Sequence, residues 1–178
     1  MKIFATGKKS YLLSHLNLKF TSLKKSKIVM HFGSPIDSLN LKRLKDSEHK
    51  CYELVNYCKK TNKHFVFAST MGIYDLSNEY EKSKLRQEQY IKENLSNFCI
   101  LRIPRVYSSD RNKGLIKLLK ENKVPLTDFD KVLEYITIQE FQKWFFEKYK
   151  SNGIFENNNL HKSTIKVIYE TFCSNSNT

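Results

Sequence analysis

Tyr80 and Lys84 stand four residues apart in NEYEKSKLRQEQY, the stretch from residue 78 to residue 90. A free phenol titrates near ~10 and is a poor base at neutral pH. An ammonium close by favours the phenolate, and the i,i+4 spacing brings both side chains to one face of a helix. The pair is therefore a candidate acid/base unit in which Tyr80 trades a proton and Lys84 tunes it. The same stretch has a plainer reading. Glu81, Lys84, Glu88 and Lys92 have the spacing of exposed helical ion pairs, each worth roughly 0.2–0.5 kcal/mol. Spacing alone leaves both readings open.

The elements that must position this pair follow from the apolar pattern. Compact runs of Ile, Val and Phe predict strands over 2–6, 27–32, 64–69 and 98–103, nearly continuous in apolar residues as in strands covered on both faces. Amphipathic stretches alternate with them. Residues 43–60 put Leu44, Cys51, Leu54, Val55 and Cys58 on one side of a helix, and residues 79–94 put Leu85, Tyr90 and Ile91 near one another among charges. Alternation of this kind predicts β-α units and a mostly parallel sheet. The last third predicts a helix at 113–121, a strand at 132–138, a helix at 139–149 carrying Trp144, Phe145 and Phe146, and a final helix around 163–172.

With 178 residues, 40% of them hydrophobic and 28% charged, the chain fits one soluble domain with a real core. No stretch approaches the ~20 apolar residues of a membrane span. The start, MKIFATGKK, has no secretory signal pattern, so a cytoplasmic location is expected. Cys51, Cys58, Cys99 and Cys173 form no CxxC pair, and the five histidines have no ligand spacing, so free buried thiols are expected and no metal site. The net charge of +13 favours an anionic partner. It is uneven: residues 1–36 contain Lys2, Lys8, Lys9, Lys19, Lys24, Lys25 and Lys27 and no acid. Without an arginine tract or a nucleic-acid module, a solvated lysine-rich surface outweighs nucleic-acid binding on sequence grounds.

Several ordered segments carry a resemblance. MKIFATGKKSYLLSHL resembles the opening strand, turn and helix of the extended short-chain dehydrogenase/reductase family, the NAD-dependent epimerases and dehydratases of nucleotide sugars. KIVMHFGSP, HFVFASTMGIY, EYEKSK with its Y-x-x-x-K pattern, ILRIPRVY, LEYITIQEF and GIFENNN are similar, in order, to later segments of that family. The resemblance implies an α/β, Rossmann-like, mostly parallel sheet with helices on both faces, reduced in size, with a small C-terminal α/β extension. It implies one domain, with a core at 1–107, a substrate-side region at 108–172 and a frayed tail at 173–178. By the same resemblance Tyr80 is the acid/base, Lys84 also holds the nicotinamide ribose, and Thr70 supplies a hydroxyl to the same substrate oxygen. Gly7, Ser10, Tyr11, Leu12, Gly33 and Ser34 line an NAD or NADP site. The implied substrate is a nucleoside-diphosphate sugar, and the implied assembly a homodimer through the helices near 43–60 and 79–94.

Three departures from the family pattern stand out. Where its glycine loop reads GxxGxxG, this chain has Gly7, Ser10 and Leu13. No Asp or Glu follows in NLKFTSLKKSKIVMH to hold an adenosine ribose, as if much of a β-α-β segment were deleted. Lys8 and Lys9 could give charge to a diphosphate, and Lys24, Lys25 or Lys27 to a phosphorylated ribose. The interval from Thr70 to Tyr80 is also short. A non-catalytic relative that binds a sugar nucleotide or a protein is the alternative to an NAD(P)-linked enzyme, and a basic nucleic-acid-binding domain is a third reading.

Overall fold

A computed structural model describes residues 1–33 and 40–173. In chain order the strands are β1 (Ile3–Thr6), β2 (Ile28–His31), β3 (His64–Thr70), β4 (Phe98–Ile103), β5 (Arg105–Tyr107), β6 (Val132–Thr137), β7 (Gly153–Glu156) and β8 (His161–Thr164). The helices are α1 (Tyr11–Ser14), α2 (Leu41–Thr61), α3 (Glu79–Asn94), α4 (Gly114–Lys120), α5 (Ile138–Lys148) and α6 (Ile165–Phe172). The chain folds as two compact units, residues 1–103 with 144–156, and residues 104–143 with those from 157 onward.

The first unit is built on a five-stranded sheet in the order β1-β2-β3-β4-β7, every neighbouring pair parallel. Strand alternation gives the sheet two apolar faces. Val29, Phe65, Phe67 and Ile100 meet Cys51, Leu54, Val55 and Cys58 of α2 and Ile91 of α3 in one core. The opposite face is covered by the end of α5 and the residues after it: Phe145 packs edge-on against Phe32, and the carbonyls of Lys148 and Tyr149 accept from Cys99 and His64. Helices thus lie on both faces of a Rossmann-like α/β sheet. All four cysteines are free and buried.

The helix ends are set by local chemistry. Asn78 caps α3, its Oδ1 accepting from the Glu81 amide at 3.1 Å, and Asn62 closes α2 in the left-handed region at φ 49°. Thr137 and Glu140 form a reciprocal capping box at the start of α5.

In the usual doubly wound sheet, ordered 3-2-1-4-5-6, the first strand has full neighbours on both sides. Here β1 is the rim. Its outer side meets one isolated bridge, Ile3 to Phe20, with the Thr21 amide donating to the Ile3 carbonyl at 2.8 Å. The deletion expected from the missing acidic residue is therefore a loss of sheet, and residues 18–21 stand where a strand would be.

The second unit holds a three-stranded sheet, β5-β6-β8, with β5 and β6 parallel and β8 antiparallel to β6. Ile116 and Leu119 of α4 and Ile165 and Ile168 of α6 bury against Tyr107 and Tyr135.

Candidate active site

Tyr80 and Lys84 do come together. With Leu44, Ser47, Ser83 and Gln87 they line a tight crevice between α2 and α3. The Lys84 Nζ lies 5.7 Å from the Tyr80 ring centroid, 4.4 Å over the Phe67 ring, and donates to the Ala68 carbonyl at 2.5 Å. Lys84 is only 2% exposed, and burial pulls its ammonium down to about 7, opposed by smaller contributions from Cys51 and Glu88. Tyr80 shifts the other way from the expectation. Burial first, and then the Glu81 charge, push its phenol up to about 12. The tuning effect of Lys84 on Tyr80 is not realised, because the ammonium is turned onto the sheet and is itself weakened by desolvation.

The plainer reading of this helix also needs correcting. Lys84 and Glu88 are buried, so neither belongs to an exposed row of ion pairs. The buried face of α3 is Ser83, Lys84, Gln87, Glu88 and Ile91, whereas Leu85 and Tyr90 are half-buried. This face is held by polar bonds. The Glu48 carboxylate of α2 accepts from Ser83 Oγ, Tyr52 OH and both Nε and Nη2 of Arg86. Glu88 accepts from Ser69 Oγ at 2.5 Å and from Arg102 Nη2 at 2.8 Å, and Arg102 also pairs with Glu156 at 2.7 Å and donates to Tyr74. Arg102 is thus fully engaged by carboxylates rather than open to a phosphate.

His31, which spacing does not single out, sits beside this seam. Its Nδ1 and Thr6 Oγ1 are hydrogen-bonded at 2.6 Å, its Nε2 lies 3.4 Å from Ser47 Oγ, and its ring stacks on Phe67. Burial and the nearby Lys84 charge push it down to about 3, so the ring stays neutral. No spacing rule would have found it, since a lone histidine ending an apolar run reads as core.

Thr70 ends β3, and its Oγ1 accepts from the Gly72 amide at 3.1 Å, capping the short 3₁₀ turn Met71–Tyr74. It is not among the residues lining the crevice.

Gly7 turns the chain after β1 at φ +70°, and a Cβ there would lie 2.6 Å from the Phe32 carbonyl carbon and oxygen. Glycine is required twice over, by conformation and by contact with the Phe32–Gly33 backbone. Gly7→Ala is expected to cost roughly 2 kcal/mol, read as a lower urea midpoint with an unchanged slope. Ser10 caps the single turn of α1, its Oγ accepting from the Leu13 amide at 3.3 Å. Tyr11 packs on His15, Leu12 is half-buried, and Leu13 is 1% exposed. Gly33 lies against Thr6 and Gly7, while Ser34 falls outside the described residues.

These residues do not fit a dinucleotide. The helix amide that a pyrophosphate would take is bonded to Ser10, and the helix behind it is one turn long with Leu13 anchored in the core. Among the described residues the rim strand has no outer strand, only the bridge at Phe20, to present a ribose reader. The crevice between carboxyl ends of strands arises where strand order reverses. In this sheet the order runs one way from β1 to β7. The space beside Tyr80 and Lys84 is too narrow to admit even a water-sized molecule, whereas ligand pockets begin at roughly 300 Å³. A larger open hollow of about 240 Å³ in the second unit is lined by Leu119, Asn122, Val124, Leu126 and Phe129, none of them titratable.

Among the described residues no group of three or more His, Cys, Asp or Glu could hold a metal, and no helix is long and apolar enough to cross a membrane. No exposed large hydrophobic residue described lies within 43–60 or 79–94.

No family model and no curated protein sequence matches the chain. Solved structures do. The enzyme WbmH of Bordetella bronchiseptica in complex with NAD+ superposes with a TM-score of 0.78 at 16% identity, over 95% of this chain and 79% of that one. UDP-N-acetylglucosamine 4-epimerase from Bacillus cereus gives 0.73 at 16% identity, over 96% and 84%. WbmG of Bordetella bronchiseptica in complex with NAD and UDP gives 0.75 at 14% identity, over 96% and 76%. The chain has the Rossmann-like fold of these proteins, cut back to a sheet whose first strand is its edge.

Proposed function

We infer that this chain is a non-catalytic relative of the sugar-nucleotide enzymes, one that binds a nucleoside-diphosphate sugar and has given up dinucleotide-dependent turnover. The observation that carries this reading is the one-way strand order with β1 at the rim, which leaves no reversal point for a dinucleotide crevice. A burial-weakened Lys84 and a Tyr80 phenol held up at about 12 agree with it. The sugar-nucleotide ligand is supported by the fold's WbmG example, which carries UDP beside NAD, and by a net charge of +13.

A second reading keeps the hydride chemistry. It makes the chain an NAD(P)-linked epimerase, dehydratase or reductase of a sugar nucleotide, with Tyr80 as acid/base, Lys84 beside it and Thr70 orienting the hydroxyl. Two observations favour it: Tyr80 and Lys84 share one crevice, and Gly7 keeps its left-handed turn.

Titration calorimetry separates the two. UDP and UDP-sugars are expected to bind, while NAD+, NADH, NADP+ and NADPH give no isotherm at millimolar concentration. A stoichiometric dinucleotide isotherm that persists in Tyr80→Phe, with sugar turnover lost, would establish the second reading instead.

A further inference from the structure

Residues 1–33 contribute seven lysines and no acid, seven of the chain's thirteen net positive charges. In sequence these are scattered; the fold collects several of them at one corner of the sheet, the end of the rim where β1 and β2 begin. Phe20 and Thr21 bond to Ile3 on the outer side of β1, which brings Lys19 alongside the strand. The Lys27 amide donates to the Lys2 carbonyl at 2.9 Å, placing those two residues together at the start of β1. The turn between them is clamped: Lys63 Nζ donates to the carbonyls of Leu23 and Lys24 at 2.7 and 3.0 Å, so Lys24 and Lys25 are displayed on fixed backbone. Lys2, Lys19, Lys24, Lys25 and Lys27 are all exposed. Lys8 lies over Phe4 and Phe20, at 5.9 and 5.5 Å from their centroids, and both rings are half-buried.

We propose that this lysine rim, with Phe20 set into it, binds single-stranded nucleic acid. The rim is acid-free over its own segment, so a string of phosphates meets no carboxylate there, and lysine ammoniums hold phosphate as point charges without demanding bidentate geometry. An aromatic ring distinguishes this surface from one for an anionic membrane. Phe4 packs against the core, and the half-buried Phe20, with Lys8 beside it, offers a ring on which a base can stack. Membrane docking wants exposed apolar side chains, and Met1 is the one large hydrophobic residue described as exposed in this segment. The rim is separate from the crevice at Tyr80, and the proposal stands independently of the sugar-nucleotide reading.

The test is fluorescence anisotropy of a labelled dT20 with the full chain. Neutralising about four phosphates at ~0.7 each on a logarithmic salt scale predicts a roughly 50-fold loss of affinity between 50 and 200 mM salt. Lys19→Glu/Lys24→Glu/Lys25→Glu/Lys27→Glu is expected to weaken binding at least ~30-fold at low salt. Lys42→Glu/Lys113→Glu/Lys143→Glu/Lys166→Glu, an equal change of charge at exposed positions elsewhere, is expected to change it less than ~3-fold. Equal losses in both sets would mean bulk charge and would overturn the proposal. So would tighter binding to a 20-base-pair duplex than to dT20, or binding to phosphatidylserine vesicles without binding to dT20. Should the rim variant fail to fold, protection of Lys24 and Lys25 from amine acylation by bound dT20, read by mass spectrometry on the unaltered chain, decides it: protection supports the rim, and unchanged acylation excludes it.

Discussion

Arg102→Met is expected to lower the stability of the chain by about 3–5 kcal/mol, a larger loss than that from Gly7→Ala. The Glu88 carboxylate is 0% exposed and is ion-paired with Arg102, with Ser69 Oγ as a further donor. Removing the guanidinium leaves a buried anion with one neutral hydrogen bond, and it takes the cation from Glu156 and the Tyr74 hydroxyl, which stay bonded to each other. In a chain of this length the loss corresponds to a thermal midpoint lower by roughly 10 °C. The companion variant Glu88→Gln/Arg102→Met removes both charges of the pair, and it is expected to recover about half of the loss or more. A double variant as unstable as Arg102→Met alone would show that packing of the guanidinium, and not the orphaned carboxylate, dominates. Differential scanning calorimetry on the four corners of this cycle measures it.

Lys84→Met is expected to act in the opposite direction and to change shape with pH. An amine that titrates at 10.5 when solvated and near 7 when folded binds fewer protons in the folded state between those values. Stability therefore rises with pH through that window and falls back as pH drops toward 7. Buried Cys51, Cys58 and Cys99, each raised from 9.0 to about 12, act with the reverse sign above pH 9. The clean interval is pH 7 to 9, where Lys84 should contribute an increase of about 2 kcal/mol. Lys84→Met, of similar volume and without the desolvated charge, is expected to be about 2–3 kcal/mol more stable than the parent at pH 7 and to lose most of that advantage by pH 9. Urea midpoints across this interval check it. A variant destabilised at every pH would mean that the bond to the Ala68 carbonyl outweighs desolvation, and would remove the electrostatic account of this seam.

The strands and the longer helices were legible because their patterns are strong. The run FCILRI matches β4, and the charged stretch 79–94 matches α3 residue for residue. Leu44, Cys51, Leu54, Val55 and Cys58, spaced for one helical face, all bury. What escaped were elements whose side chains are polar or few: β5 is three residues long, and β8 reads HKST. The order of the segments led correctly to the Rossmann-like class, but α1 proved to be one turn.

The candidate site was less legible for a physical reason. Hydrophobic periodicity assumes that the apolar face of a helix is the buried one. On α3 the buried face carries Lys84, Glu88 and Gln87, whose partners include Ala68 and Arg102, distant in the chain, and, for the Gln87 Nε2, the Ser83 carbonyl one turn back, while the Gln87 Oε1 has no partner among the described residues. The distant partners are set by packing, and spacing within the helix is silent about them.

The bridge at Phe20 has a consequence for how the chain behaves in a crowded solution. A central strand turned outward is a template: its free backbone groups invite a strand from another molecule, and a parallel sheet that begins to extend has no inherent stopping point. Residues 18–21 act as a stopper by occupying Ile3 with Phe20 and Thr21. What reads in the sequence as the scar of a deletion is thus a cover over the start of this edge, and proteolytic nicking there is expected to raise the tendency to aggregate.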